Sequence, residues 1–460
     1  MKKHLLLLPI ITVLVFGCFG AVQAMGQAGE EQADGPGWIY EDLIGVPVGW
    51  RSDGDGLIRA LGWGLEQRFR YEVRDGIGFN EAVEDDFLLS RTRVWVNGEI
   101  GSLLEFHFEG RDAHAFGDDF LAGDNPAFED DFDIFQAYIA AKITDQAKVR
   151  IGRQMIAFDD HRLVGNFLWS NTSRSFDGIR GIFENDQLAL NLGAVQVVRI
   201  FPDNRNHRNY NDQFYFLHAT AKKTPVEKLK TSVFAYFRDT EFGGGMERNQ
   251  YTIGTRVWGD VGDLGCFYDF FGAYQFGDVS RPGASDQDIS AFALHGEVGH
   301  TFQDAPLTPR WSVEGNWASG DHNPGGGTVR TFDQLYPTNH FKYGIADVVG
   351  LRNARNVGTH LKVKPTENTN ASLSYFAFWV DHTQDSLYNA GGRATVAPAS
   401  GSNNKFVGHE VDAQFDINLT KNVNVATGIG YFFAEDFVKN NSAFGDDYLF
   451  GFVQMMIALK

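Results

Sequence analysis

Cysteine is scarce in this sequence, since only Cys18 and Cys266 occur among 460 residues. Cys18 lies in an N-terminal segment typical of a signal peptide, with a basic start, an apolar stretch and a small-residue cleavage site that ends at Ala24. We therefore predict that residues 1–24 are removed on export. The exported chain then carries Cys266 alone, which excludes an intrachain disulfide.

Long apolar runs and positive charge are also lacking. Beyond residue 24 no apolar run reaches 18 residues, which excludes a membrane-spanning helix. The formal net charge is −19, and it becomes −21 when Lys2 and Lys3 leave with the signal peptide. A chain this acidic has no excess of cations to displace the counterions of phosphate, so we expect no nucleic acid among its partners.

The dominant positive signal is an alternation of polar and apolar side chains with a period of two, which is typical of β-strands. In segment 65–74 one face is apolar except for Gln67. The other face carries only charged side chains, namely Glu66, Arg68, Arg70, Glu72 and Arg74. Such a segment has one face suited to water and one suited to lipid or a core.

The same alternation recurs along the whole chain. Clear examples besides 65–74 are 88–100, 103–111, 250–258, 291–298, 310–317, 407–417 and 448–459. Weaker examples are 132–142, 147–155, 175–184, 187–200, 213–222, 228–238, 266–276, 355–364, 372–381 and 422–433. The total is about eighteen strands, or roughly 24 residues for each strand and its connection, which suits barrel strands of about 9–11 residues.

A soluble β-sandwich or propeller would bury the apolar faces, whereas a membrane barrel would expose them to lipid. Three observations favour the barrel: densely charged polar faces, aromatic residues near strand ends, and connections that alternate in length. Tight turns are expected at 101–102 and 185–186. Long acidic loops are expected at 112–131, 277–289, 318–350 and 382–404.

The predicted fold class is therefore all-β, a transmembrane antiparallel β-barrel of about 18 strands. Residues 1–24 are the signal peptide, 25–60 form an exposed N-terminal leader rich in glycine, proline and acids, and 61–460 form the barrel. A closed barrel leaves no strand edge unpaired, which the interior of a bilayer requires.

Several sequence motifs, which follow one another in order along the chain, resemble the alginate export family of bacterial outer-membrane porins. They are RIGRQ, DHRLVG and WSNTSRSFDGIR within 150–184, ASGDHNPGGG, TFDQLYPTNH and FKYGIADVVGLRN within 318–353, then VGHEVDAQF and GYFFAEDF. The resemblance covers most of the chain. It implies an eighteen-stranded barrel in the Gram-negative outer membrane, with an arginine-rich lumen that passes an anionic polysaccharide or another solute.

The resemblance also indicates which side chains line the pore. Each expected pore-lining residue either matches a motif position or lies on the polar face of a predicted strand. These residues are Arg91, Arg93, Arg153, Arg162, Arg174, Asp177, Arg180, Arg256 and Glu410. Rings of arginine set anion selectivity because each guanidinium is always charged and can hold a carboxylate in a fork. The alternative is that these arginines pair with Asp177, Glu99 and Glu410 and only brace the wall. Arg153 is in phase with Ile151 and reaches the lumen only if Gly152 forms a bulge.

The leading hypothesis is a passive, monomeric outer-membrane channel without cofactor or catalytic activity. Its expected partners are outer-membrane lipid, an anionic polysaccharide or a small anionic solute, and periplasmic export components. The alternatives are a porin for small anions, an outer-membrane enzyme built on the same barrel, and a secreted carbohydrate-binding β-protein.

No metal site is expected. The run HGEVGH at 295–300 is not a zinc-binding HExxH motif, because a strand places His295 and Glu297 inward but His300 outward. The DGDG run at 53–56 and the acidic run that includes Asp118, Asp119 and Asp124 are interpreted as solvated loops rather than calcium sites.

Overall fold

The computed structural model describes residues 48–51, 57–117, 125–224, 228–262, 264–398 and 403–459. The predicted signal peptide, most of the leader, the DGDG run and the acidic side chains of 118–124 lie outside the described residues. Among the described residues no helix is both long and apolar enough to cross a membrane.

Eighteen antiparallel strands form one closed barrel, in which the first wall strand pairs with the last to complete the wall. The wall strands are β2 (Ile58–Asp75), β3 (Glu84–Ile100), β4 (Leu104–Gly117), β5 (Asp130–Thr144), β6 (Ala147–Gln154), β7 (Phe176–Glu184), β8 (Leu188–Arg199), β9 (His207–Ala221), β10 (Leu229–Phe242), β11 (Met246–Asp260), β12 (Cys266–Ser280), β13 (Gln287–Thr301), β14 (Arg310–Ala318), β16 (Ala354–Thr366), β17 (Thr369–Val380), β20 (Phe406–Thr420), β21 (Val423–Ala434) and β22 (Tyr448–Leu459).

Four short strands and one short helix complete the part of the chain that the structure describes. Strand β1 (Val48–Arg51) pairs with the start of β2, and β15 (Thr328–Val329) pairs in parallel with β13. Strands β18 (Leu387–Tyr388) and β19 (Ala394–Val396) form a separate hairpin, and α1 spans Asp436–Asn441.

The predicted barrel is confirmed, and each of the eighteen alternating segments overlaps a wall strand. The expected boundary at residue 61 is slightly late, because β2 begins at Ile58. Part of the expected leader also pairs with the wall, since Val48–Arg51 lies beside residues 60–63.

Side-chain alternation fixes which face of each strand points inward. On β2, Arg68 and Arg70 are fully buried, whereas Phe69 between them is 38% exposed on the outside. A one-residue slip would turn these arginines toward lipid, at roughly 2–4 kcal/mol for each cation at the bilayer midplane. The register of the wall is therefore strongly determined by its charged side chains.

The connections differ between the two ends of the barrel. One end, here named the short-turn end, carries tight turns such as 145–146, 367–368 and 421–422. The opposite, long-loop end carries 155–175, 319–353 and 381–405. The long loop expected at 277–289 is wrong, because β12 continues to Ser280 and β13 begins at Gln287, which leaves residues 281–286 as the connection.

Candidate functional site in the barrel interior

Two connections from the long-loop end fold into the barrel. The first interior loop, residues 155–175, joins β6 to β7, and the second interior loop, residues 330–353, leads into β16. Apolar side chains of both loops, including Phe158 and Leu335, are buried in one cluster with inward-facing aromatic residues of the wall. Burial of these side chains against the wall gives the loops a defined position without any regular secondary structure.

Backbone hydrogen bonds join the two interior loops to each other. Val164 and Tyr336 form a parallel bridge. The N–H of Tyr336 donates to the carbonyl of Leu163 at 2.9 Å, and the N–H of Gly165 donates to the carbonyl of Tyr336 at 2.8 Å. One loop therefore cannot move away without breaking contacts with the other.

The interior loops also concentrate unusual backbone conformations. Eight of the twelve described non-glycine residues with positive φ lie in them, namely Asp159, His161, Phe167, Ser173, Leu335, Phe341, Asp347 and Asn353. A left-handed conformation costs about 1–2 kcal/mol for such a residue. It persists only where the surroundings impose it, and such positions cluster at functional sites.

Arginines of the wall hold the first interior loop by its backbone carbonyls. Arg68 and Arg91 both donate to the carbonyl of Leu168, at 2.9 and 3.0 Å. Arg70 donates to the carbonyl of Trp169 at 2.6 Å and lies with its guanidinium 3.7 Å from the centre of the Trp169 ring. These contacts satisfy loop carbonyls that the barrel interior would otherwise leave unpaired.

Carboxylates of the same strands neutralise this arginine cluster. Glu66 pairs with Arg91 at 2.6 Å and with Arg93 at 3.5 Å, and Arg93 also pairs with Glu109 at 2.5 Å. All four side chains are at least 95% buried. Arg91 and Arg93 do face inward as expected, but their charges are committed to the wall.

Arg162 lies in the first interior loop, at a contact between both loops and the wall. It pairs with Asp160 at 3.0 Å and donates to Asn316 of β14 and to the Tyr343 hydroxyl at 3.0 and 2.7 Å. Burial alone would raise the pKa of Asp160, but Arg162 and Lys342 hold it well below its usual value. Asp160 therefore stays ionised and keeps the Arg162 charge neutralised.

Arg174 joins the two interior loops. Its guanidinium donates to the carbonyl of Gly165 in its own loop at 2.9 Å. It also donates to the carbonyls of Tyr336 and Pro337 in the second loop, at 2.6 and 3.1 Å. Its position is that of a clamp between loops rather than of a side chain on an open pore surface.

Asp333 anchors the second interior loop to strand β10 of the wall. Its carboxylate lies 3.5 Å from Arg238 of β10. Burial alone would raise the pKa of Asp333, but the guanidinium groups of Arg238, Arg248 and Arg352 lower it to about 2. The sequence motifs did not single out this anchor.

Arg150 and Arg180 form a different kind of arginine pair. They stand directly opposite each other on β6 and β7, on the inward face toward the short-turn end. Arg180 bonds to the Asn191 side chain at 2.6 Å, and the Arg150 guanidinium lies 4.1 Å from the centre of the Tyr138 ring. Neither guanidinium has a carboxylate within 4.0 Å among the described residues, so the pair carries uncompensated positive charge.

The expectation that Arg153 and Asp177 line the lumen is wrong. They pair with each other at 2.8 Å in register with Ile151 and Ile179, which are 59% and 46% exposed on the outside. Gly152 has a φ of +128°, but no register shift interrupts the pairing there. The bulge that would have turned Arg153 inward is therefore absent from this strand pair.

Arg256 and Glu410 face inward but do not meet each other. Arg256 is neutralised by Asp269 of β12 at 2.5 Å. Glu410 is fully buried and accepts the backbone N–H of Ala346 in the second interior loop at 2.8 Å. The alternative, in which Glu410 braces the wall by pairing with an arginine, is not seen among the described residues, because a loop amide bonds to this carboxylate.

The motifs also missed interior arginines that the strand pattern could have indicated. Arg68 and Arg70 lie on the charged face of the first alternating segment, and Arg111 lies on that of the third. Arg111 donates to the Thr172 carbonyl and pairs with Asp130. All three arginines could have been recognised by their position on the inward face of a strand, because none of them lies in one of the quoted motifs.

The family of the chain follows from a match across nearly the whole barrel. The sequence profile of the alginate export family matches residues 59–452. The chain belongs to the alginate export family. As a member of that family, it is an outer-membrane β-barrel channel with an arginine-rich interior. No curated protein sequence matches it.

Solved porin structures share this fold at low sequence identity. OccAB1 of Acinetobacter baumannii is 13% identical, with 89% of this chain and 99% of that chain covered and a TM-score of 0.60. OccAB2 of the same organism is 12% identical, with 86% and 97% covered and a TM-score of 0.59. OccD3 (OpdP) of Pseudomonas aeruginosa is 14% identical, with 88% and 92% covered and a TM-score of 0.57. At this identity the similarity establishes the architecture alone.

Proposed function

We propose that this alginate export family member is a passive channel selective for anions, with Arg150 and Arg180 as its selectivity residues. The observation that carries the proposal is their uncompensated positive charge on the inward face. Like charges directly opposite each other on paired strands are destabilising. Here Tyr138 and Asn191 hold the two groups in place, and a passing anion supplies the missing counter-charge.

Most of the other predicted site residues act as braces in this proposal. Arg91, Arg93, Arg162 and Arg256 each have a carboxylate partner within 3.5 Å. A neutralised pair contributes little net field to a passing ion, whereas an unpaired charge in a medium of low dielectric constant contributes much more. Arg174 and Glu410 position the interior loops through backbone groups.

An anionic polysaccharide is the first candidate solute, because the family is named for alginate export. A small anionic solute is the second, because the two interior loops join by a backbone bridge inside the barrel and leave less width than a bare barrel would. In both cases a carboxylate fits the paired guanidinium groups, which can hold it through parallel N–H donors.

The experiment is solute block in planar bilayers. A polyuronate and a monomeric uronate are added separately to single channels of the purified protein, and the fluctuations of the ion current are compared. Block by both solutes that weakens at least about tenfold in Arg150→Ala/Arg180→Ala supports the site. Block by the monomer alone favours the small-solute channel, and equal block of the wild type and the double variant contradicts the proposal.

The remaining assignments follow from the same view of the protein. Transport involves no catalytic step, so purified protein should hydrolyse neither acyl nor glycosidic model substrates. The working form is a monomer embedded in outer-membrane lipid, served by periplasmic export components when the solute is a polymer. Its export is completed by cleavage after Ala24, which N-terminal sequencing of outer-membrane material checks.

A further inference from the structure

Two glutamates face each other on the inner wall, away from the arginine pair. Glu297 of β13 stands directly opposite Glu314 of β14 in the antiparallel register. His295 lies two residues before Glu297 on the same inward face, and His360 of β16 lies with Nε2 3.9 Å from a carboxylate oxygen of Glu314. Two carboxylates in this arrangement repel each other unless a proton or a cation lies between them.

The hydrogen bonds around His295 define which of its nitrogens is free. Asn316 accepts an N–H of Arg162 at its Oδ1 at 3.0 Å, and its Nδ2 donates to Glu314 and to Asn356 at 3.1 and 2.7 Å. The Asn316 oxygen therefore faces His295 Nδ1 at 2.8 Å, so that Nδ1 must donate. In the neutral ring, His295 Nε2 therefore carries no proton. This buried nitrogen has no hydrogen-bond partner among the described residues, so its lone pair is free to bind a ligand.

His360 repeats the same arrangement from the next strand. Its Nδ1 is 2.9 Å from the Ser374 hydroxyl, and its buried Nε2 has no hydrogen-bond partner in the described part of the chain. A histidine that ligates a metal through one nitrogen usually has its other nitrogen held by a hydrogen bond, which fixes the tautomer and the ring orientation. His295 thus has the second-shell support that a metal ligand requires, whereas His360 lies on the other side of Glu314 along the strands and outside the ligand group.

The donor atoms are already close together. One ligand atom each from His295, Glu297 and Glu314 lies within 4.8 Å of the others. A tetrahedral zinc with bonds of about 2.0–2.1 Å needs donors about 3.4 Å apart. Small rotations of the two glutamates, whose side chains have several torsions, bring the donors of His295, Glu297 and Glu314 to that spacing.

We propose that His295, Glu297 and Glu314 form a binding site for a divalent transition metal of the zinc class, which would link β13 and β14 and leave one position to water. A nitrogen donor with two carboxylates suits zinc, whereas calcium and magnesium prefer oxygen ligands alone. The sequence expectation of no metal site is replaced by this proposal, because Glu314 lies on β14 and outside the HGEVGH run.

The charges around the site are compatible with a bound dication. Arg162, Lys342 and Lys362 are the cationic groups that act on the two glutamates. Arg162 and Lys342 are themselves paired with Asp160, at 3.0 and 3.4 Å. Lys362 competes with a bound metal ion for the negative charge of Glu297.

The test uses the full-length protein, purified in detergent and stripped with a chelator. Zinc binding is measured by calorimetry, and cobalt binding by its visible absorption spectrum. The wild type should bind one ion, and cobalt should show the strong bands of four-coordinate geometry. His295→Gln and Glu297→Gln should each weaken binding by at least about 100-fold, and Asn316→Ala by about 10–100-fold through loss of second-shell support.

His218→Gln is the matched control. His218 is also a buried histidine of the barrel interior, but its ring nitrogens already contact Tyr236 and Asp159, at 2.8 and 3.3 Å. The His218→Gln substitution should therefore leave the zinc affinity unchanged. Folding of every variant is checked by its mobility on unboiled SDS gels, so a loss of binding is counted only in folded protein.

Two outcomes would overturn the proposal. One is a wild-type protein that binds no zinc at neutral pH, in which case a shared proton between Glu297 and Glu314 accounts for the pair. The other is zinc binding of equal affinity in the wild type and in folded His295→Gln and Glu297→Gln. Neither outcome bears on anion selectivity, which depends on Arg150 and Arg180.

Discussion

At the residue scale, the interior arginines named below differ in the type of side chain that lies beside each guanidinium group. Arg91, Arg93 and Arg256 have carboxylates beside them, and removal of either member of such a buried pair would leave an uncompensated charge. Arg150 and Arg180 have a tyrosine ring and an asparagine beside them instead. In the proposed channel, Arg150 and Arg180 offer a passing anion positive charge that no carboxylate pairs with within 4.0 Å among the described residues.

Asp333 provides a pH test of the anchored second interior loop. Its pKa of about 2 in the folded protein lies below the ordinary value near 3.9, so its ionic contribution to stability is complete above about pH 4 and is lost as the pH falls through 2. Wild-type channels should show a conductance change in that window. Asp333→Asn should remove this change and show the altered conductance already at pH 7.

The control for this prediction is Asp186→Asn, in an exposed turn at the short-turn end. It should leave the acid-dependent change intact. A wild-type conductance that is flat from pH 4 to 2, or that changes equally in Asp333→Asn, would show that the Asp333 anchor does not hold the loop.

At the element scale, the strands were predictable and the interior loops were not. Alternation identifies a strand such as 65–74 from its own sequence, because each side chain reports the face on which it lies. The first interior loop has no such period. It is ordered by partners far away in the chain, as in the bond from Arg68 to the carbonyl of Leu168, 100 residues later.

The same reasoning explains which site residues the sequence could identify. Arg91 and Arg93 were placed correctly because their strand alternates cleanly. Arg153 was misplaced because its inward position depended on a bulge at Gly152 that the strand pairing does not contain. Whether an inward arginine is neutralised depends on the neighbouring strand, as with Arg256 and Asp269, and no spacing within one segment reveals that partner.

Strand faces can be tested by cysteine labelling in a Cys266→Ser background. Phe108→Cys and Val411→Cys occupy outward positions that are 42% and 40% exposed, so they should react with a lipid-soluble thiol reagent only. Glu105→Cys lies on the inward face, at a side chain that is 26% exposed, and should react with a membrane-impermeant reagent. Reaction of Phe108→Cys with the impermeant reagent instead would invert the register.

Gly344 tests how tightly the second interior loop fits the wall. A Cβ at this position would lie 2.3–2.5 Å from the Glu410 carboxylate, which cannot withdraw without losing its bond to the Ala346 amide. Gly344→Ala should therefore increase hydrogen exchange of residues 330–353, with a cost of about 0.5–1.5 kcal/mol for the lost hydrogen bond.

Gly325→Ala is the control for backbone strain. Gly325 lies in the same connection and has nearly the same φ, +85° against +86° for Gly344, but nothing lies within 4 Å of its Cβ position. If both variants increase exchange equally, the effect comes from the left-handed backbone alone, and the close fit against Glu410 is not what holds the loop.

At the scale of the whole molecule, net charge and local charge point in opposite directions. The full chain carries −19, yet a charge in solvent is screened within about 8 Å at physiological ionic strength. Charges inside a narrow barrel are screened less, and they set the barrier for permeation. Arg150 and Arg180 should therefore outweigh the acidic total and make the channel prefer anions.

The most direct test of this claim is the reversal potential in a salt gradient across a planar bilayer. Wild-type channels should prefer anions, and Arg150→Ala/Arg180→Ala should move the reversal potential toward cation preference. Arg153→Gln/Asp177→Asn, which removes an ion pair on the outward face without changing net charge, should leave it in place. A cation-preferring wild type, or equal shifts in the two double variants, would contradict the account.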